Sequence, residues 1–183
     1  MLDRISPLKL KYFLNLIRFS KPIGFMLLMW PCWFALALLS NDNENLLKWY
    51  FIFFIGAFLM RSAGCIINDL VDINIDKNID RTAKRPLVVK KISKTEALIF
   101  LIILLSLSFL LLLQFNFKTI IIGLLSFPLI VFYPYLKRIT NWPQVMLGFI
   151  FSWGVIIVSF EFLNHINIDF LLLYLGCIFW TLA

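Results

Sequence analysis

Residues 49–80 read WYFIFFIGAFLMRSAGCIINDLVDINIDKNID, and this stretch decides the fold. Its first part, about Trp49 to Ile67, is an apolar run. It is close to the ~20 residues that a helix needs to cross the hydrocarbon layer of a bilayer. Its second part carries Asp69, Asp72, Asp76 and Asp80, at spacings of three, four and four residues. At about 100° per residue these acids fall near 0°, −60°, −20° and +20°, within an arc of about 80°. A helix that continues from the apolar run through all four acids would carry one carboxylate face at its end, and no Pro or Gly interrupts the stripe.

The rest of the chain is equally apolar. Of its 183 residues 62% are hydrophobic and 15% charged, with a mean hydropathy of +0.93. A soluble domain has about 45–50% apolar and roughly 25% charged residues. This composition excludes a soluble globular enzyme, a disordered tail and a disulfide-stapled secreted module. Lipid is the remaining solvent, and about 20 residues per span gives roughly five to seven spans. The apolar runs predict six: about Ile23 to Leu39, Trp49 to Ile67, Ala97 to Leu113, Thr119 to Leu136, Val145 to Leu163, and Ile168 to Ala183. The expected fold is all-α, a multi-span transmembrane helix bundle forming one membrane domain over residues 1–183. Cys32, Cys65 and Cys177 sit in apolar runs without metal-ligand spacing and read as small buried hydrophobes.

The net charge of +7 is a matter of topology and not of nucleic acid. Arg4, Lys9, Lys11, Arg18 and Lys21 precede the first span. Arg61, Lys77, Arg81, Lys84, Arg85, Lys90, Lys91 and Lys94 are assigned to the second loop, and Lys137 and Arg138 to the fourth. The other side has Lys48 and Lys118, so the balance is 15 against 2. Basic residues collect in cytoplasmic loops, which places the N-terminus in the cytoplasm. The polar lead is long for a cleaved signal peptide, so the first apolar run is an uncleaved span. Leu8 to Phe19 alternates apolar and basic positions and is expected to lie in the interface as an amphipathic helix.

Four of the ten acids fall in the stripe after Ile67. Like charges at i, i+4 repel, so something must offset them. One offset is Mg²⁺, which takes oxygen ligands, commonly one or two carboxylates plus substrate phosphates. The alternative is a solvated acidic face paired with the basic residues that follow. A hand-type calcium loop does not fit, because its glycine and terminal glutamate are missing. Arg81-Thr82-Ala83-Lys84-Arg85-Pro86-Leu87 comes next, and Tyr133-Pro134-Tyr135-Leu136-Lys137-Arg138 ends the fourth span on the same side. Arginine grips phosphate oxygens in a two-pronged fork. Acids and bases at one membrane face point to Mg²⁺ and a diphosphate, with a lipid tail among the spans. A transporter or channel would need ionisable residues at mid-span. Glu161 and His165 instead lie near the external end of the fifth span.

These residues resemble the UbiA superfamily of membrane prenyltransferases. Asn68-Asp69-x-x-Asp72-x-x-x-Asp76 is similar to that family's first aspartate-rich motif, followed by Arg81-Thr82-x-x-Arg85-Pro86-Leu87. Leu16-Ile17-Arg18-Phe19-Ser20-Lys21-Pro22, Trp30-Pro31, Tyr133-Pro134-x-x-Lys137-Arg138 and Pro143-Gln144-Val145-x-Leu147-Gly148 resemble the branch that prenylates 4-hydroxybenzoate in ubiquinone biosynthesis. The resemblance implies a bundle of nine helices around a central cavity, of which six are present. It implies a Mg²⁺-dependent transfer of a polyprenyl chain from polyprenyl diphosphate to the ring of 4-hydroxybenzoate, in a bacterial inner membrane. Asp69, Asp72 and Asp76 would be the catalytic, metal-holding residues. Asn68, Arg81, Arg85, Lys137, Arg138 and Arg18 would contact substrate. The family's second aspartate-rich motif follows its sixth span, and these 183 residues contain no second acidic cluster. Two readings follow. One is a prenyltransferase by descent, impaired as this chain alone, with its remaining third supplied by a separate polypeptide or lost. The other is a non-catalytic membrane remnant that binds at most Mg²⁺ and diphosphate.

Overall fold

The computed structural model describes residues 7–39, 45–139 and 142–183; the side chains of residues 7, 8, 137 and 138 and the whole of Arg4 lie outside that description. Seven helices follow one another: α1 Pro7–Leu16, α2 Ile23–Leu38, α3 Leu46–Asp76, α4 Lys94–Leu112, α5 Phe117–Ile139, α6 Pro143–Leu163 and α7 Ile168–Leu182. No strand occurs among the described residues. The predicted spans are recovered as α2 to α7. α3, α4, α5 and α6 are long and apolar enough to cross a membrane. α2 and α7 are apolar but have 16 and 15 residues, about 24 and 22 Å at 1.5 Å per residue. They fall short of a ~30 Å hydrocarbon layer on their own.

Two clusters of buried apolar residues organise the bundle. One joins Leu16 and Ile17 of the α1 end, Leu59, Ala63 and Ile66 of α3, Leu87 and Ile92 of the 77–93 loop, and Ala97, Leu101 and Leu104 of α4. The other joins Cys32, Ala35 and Leu36 of α2, Phe53 of α3, Val155 and Val158 of α6, and Phe170 and Cys177 of α7. All three cysteines are buried and free, as their apolar surroundings predict. α2 lies so close to α6 that a Cβ on Gly154 would run into the Cys32 sulfur. α4 turns Ile99, Ile102, Ile103 and Leu110 outward, the surface expected of a helix solvated by lipid.

Local chemistry explains where the helices start and stop. Ser93 and Glu96 form a capping box at the start of α4, and Lys9 of α1 pairs with the same Glu96. α1 ends in a Schellman arrangement: Phe19 N donates to Leu14 O at 3.0 Å and Arg18 N to Asn15 O at 3.1 Å. The C′ position that usually carries glycine is Arg18, at φ 57°. A left-handed non-glycine residue costs roughly 1–2 kcal/mol.

Two expectations are corrected. α3 ends at Asp76, so Asp80 does not share the carboxylate face; it is exposed in the turns beyond. Thr82 stops the helix by folding back, its Oγ1 donating to Asp76 O at 3.1 Å and Ile79 O at 3.3 Å. Orphan carbonyls at a helix end are thereby satisfied. Arg61 is no loop residue: it lies inside α3, which changes the charge balance from 15 to 14 against 2.

Candidate functional site

The C-terminal turns of α3 carry the three remaining acids. Asp69, Asp72 and Asp76 are 3%, 4% and 4% exposed, so each is buried. Carboxylates out of water need partners. Arg85, from the loop after α3, supplies one: its Nη1 donates to Asp69 Oδ1 at 2.9 Å and also to Asp76 Oδ2. Arg18, from the end of α1, adds its Nη2 to the same Asp69 Oδ1 at 3.0 Å. Three segments far apart in sequence therefore meet on one carboxylate. The 77–93 loop is held in place by buried Leu87 and Ile92, which is what aims Arg85 at the helix.

Beside this cluster opens a cavity of about 690 Å³. Arg18, Asn68, Arg81, Arg85 and Tyr133 line its polar mouth. The mouth gathers Arg18, Asn68, Arg81 and Arg85 of the expected site residues; the side chains of Lys137 and Arg138 lie outside the described part. Below the mouth the walls are mostly apolar, from α2, α3, α4, α5 and α6, with Arg61 of α3 among them. On the α3 wall Gly56 and Gly64 leave open space, since a Cβ there would meet nothing within 4 Å.

Sequence reading missed one member of this site. Arg61 faces the cavity two turns of α3 before Asn68. Its Nη1 lies 3.0 Å from Cys65 Sγ, and its guanidinium carbon 5.9 Å from the Phe151 ring centroid. A cation inside a membrane helix is costly and by default functional. The signal was its position within the apolar run, which a tally of charges per loop obscured.

Oxygen donors in this pattern suit Mg²⁺, which needs only one or two carboxylates when phosphates and waters complete its shell. Among the described residues, no three acidic, His or Cys side chains are gathered closely enough to hold a metal unaided. Asp69 and Asp76 are instead drawn onto Arg85.

Fold and site define a multi-pass membrane protein with a charged cluster at the mouth of an apolar cavity. The chain belongs to the UbiA prenyltransferase family, whose profile matches residues 28–183. It is 39% identical over 182 residues to "4-hydroxybenzoate octaprenyltransferase" of Pseudoalteromonas translucida, covering 100% of this chain and 62% of that protein. It is 44% identical over 169 residues to the protein of the same name from Blochmanniella pennsylvanica, covering 92% of this chain and 58% of that one. Similarity extends to "4-hydroxybenzoate polyprenyltransferase, mitochondrial" of Caenorhabditis elegans, 45% identical over 153 residues, 83% of this chain and 43% of the relative. The chain thus spans about three-fifths of the length of the bacterial relatives it matches. No solved structure matches it.

Proposed function

We propose that this chain forms one membrane domain carrying the donor-diphosphate part of a 4-hydroxybenzoate polyprenyltransferase site. The observation that carries the reading is the convergence of Arg18 and Arg85 on Asp69 at the mouth of the apolar cavity. Asp69, Asp72 and Asp76 would hold Mg²⁺ together with the diphosphate of a polyprenyl donor, with Asn68 in support. The ion would supply charge neutralisation of the departing diphosphate.

The chain's own residues do the rest. Arg85, now shared between Asp69 and Asp76, turns its fork to the diphosphate oxygens as they enter. Arg18 and Arg81 donate from the same rim, with Lys137 and Arg138 assigned by resemblance. These donors stabilise the charge that grows on the diphosphate as its bond to the allylic carbon breaks. The apolar walls keep water from the allylic cation, so that the ring of 4-hydroxybenzoate, ortho to its hydroxyl, is the nucleophile it meets. Arg61, deeper in the same wall, is placed to pair with the carboxylate of the aromatic acid.

We assign the polar mouth and the N-terminus to the cytoplasmic side of a bacterial inner membrane, a reading that the basic loops support. Because the relatives are longer, full activity is assigned to an assembly that includes the remaining two-fifths of their length, in the same or a separate polypeptide. A second reading is a chain that binds Mg²⁺ and diphosphate without turnover. It is favoured by the absence, among the described residues, of a three-ligand metal group. Membranes containing this chain, with Mg²⁺, polyprenyl diphosphate and 4-hydroxybenzoate, decide between them. Prenylated product from this chain alone establishes an autonomous enzyme. Binding without product, restored to turnover by a polypeptide supplying the remaining two-fifths, establishes the divided site.

A further inference from the structure

The segment between α3 and α4 carries charges that the site does not use. Residues 81–95 hold six basic residues and no acid. Arg81 and Arg85 line the cavity mouth, whereas Lys84, Lys90, Lys91 and Lys94 are exposed. The flanking acids in sequence are Asp80, which is exposed, and Glu96, already engaged by Lys9 and Ser93. The shape of the segment is fixed. Val89 N donates to Arg85 O at 3.0 Å, Lys91 N to Pro86 O at 2.9 Å and Lys90 N to Leu87 O at 3.4 Å. These bonds make one helical turn closed by a Schellman arrangement. Buried Leu87 and Ile92 pin it to the end of α1, to α3 and to α4. Its C′ residue is Lys90, at φ 55°, a position where glycine closes the turn without strain. Val89, Lys90 and Lys91 stand exposed in succession, with Val89 at 44%.

The height of this turn in the membrane follows from its neighbours. α3 and α4 are both long and apolar enough to cross a bilayer, and α4 begins at Lys94. The turn directly before it therefore lies at the level of the lipid headgroups. There an anionic leaflet is the complement of what the turn presents. Its phosphates attract the lysines, and its acyl boundary accepts an apolar side chain flanked by cations.

We propose that residues 84–94 form a docking surface for anionic phospholipid headgroups, with Lys84, Lys90, Lys91 and Lys94 on lipid phosphates and Val89 at the acyl boundary. Docking steadies the segment from which Arg85 reaches Asp69 and Asp76, and so ties the lipid surface to the site. The inference stands apart from the identity of any substrate.

The test is hydrogen exchange at the turn's bonded amides, those of Val89, Lys90 and Lys91, in the full chain. The chain is held in nanodiscs of phosphatidylcholine with and without phosphatidylglycerol. An opening that lifts the turn off an anionic surface gives up its attraction. Exchange is therefore expected to slow in phosphatidylglycerol by about fivefold for each lysine seated, and to recover in high salt. Lys90→Gly combined with Lys91→Gln removes two charges and keeps the turn, because glycine suits the backbone at position 90. That double variant is expected to lose most of the slowing. Exchange that is equal in the two lipids, or that slows as much in the double variant, overturns the proposal. Slowing spread equally over α6 overturns it as well, since the lipid then acts on the whole bundle. Slowing by inorganic phosphate in phosphatidylcholine alone also overturns it, because the lysines then take a free anion and not the leaflet.

Discussion

Arg18 Nη2 lies 3.0 Å from Asp69 Oδ1, joining the end of the surface helix α1 to the buried face of α3 across 51 residues of sequence. The contact exists because Arg18 takes the left-handed conformation that closes α1. Strained residues of this kind cluster at functional sites. The strain and the ion pair can be separated. Arg18→Gly should keep the turn, relieve about 1 kcal/mol of backbone strain and lose the ion pair. Arg18→Ala should lose the pair and keep the strain. We expect both variants to bind prenyl diphosphate about tenfold more weakly, with a higher thermal midpoint for Arg18→Gly than for Arg18→Ala. A glycine variant that binds like the native chain would show that Arg18 only terminates a helix.

Arg85 differs from Arg18 in serving two carboxylates, Asp69 and Asp76. Removing one partner of a buried pair leaves uncompensated charge and costs about 3–5 kcal/mol. Arg85→Ala should therefore lower the thermal midpoint in detergent more than Arg18→Ala does. Adding Asp76→Asn to Arg85→Ala should recover part of the loss. Equal midpoints for the two arginine variants would contradict the bridging role.

Thr82 is buried, and its hydroxyl closes the carbonyls at the end of α3. Thr82→Val keeps the shape and removes the donor, at a cost of about 1–3 kcal/mol. Hydrogen exchange should quicken over residues 77–85 and leave α6 unchanged. Unaltered protection in that loop would show that Arg85 and Leu87 suffice to hold it.

The Lys9–Glu96 pair is about one-third exposed on both sides. Such pairs contribute roughly 0–1 kcal/mol, so Lys9→Gln should change stability little. Leu16 is fully buried in the cluster that joins α1, α3 and α4. Leu16→Ala should cost about 2–5 kcal/mol. Comparing the two thermal midpoints tests whether α1 is docked by packing or by charge.

Much of this was legible before any coordinates. The lengths of the apolar runs marked α2 to α7, and a spacing of three and four put Asp69, Asp72 and Asp76 on one face. Asp80 obeys the same spacing but leaves the helix, because Thr82 folds back on carbonyls that a local pattern does not reveal. Arg61 was misplaced because counting charges by loop ignored that it stands among Met60, Ser62 and Ala63 in a continuous helix. The reach of Arg18 depends on one backbone angle, and the placement of the α4–α5 turn on the contact of Phe115 with Phe53 and the hydrogen bonds of Asn116 to residues 160–161. Such long-range meetings have no signature in spacing.

The most direct measurement is the Mg²⁺ dependence of farnesyl diphosphate binding to the chain in nanodiscs, with and without Asp72→Ala. The account predicts saturable binding that requires Mg²⁺, is displaced by inorganic diphosphate, and is lost in Asp72→Ala together with any turnover of the completed assembly. Binding of equal strength without Mg²⁺, unchanged by Asp72→Ala, would contradict it.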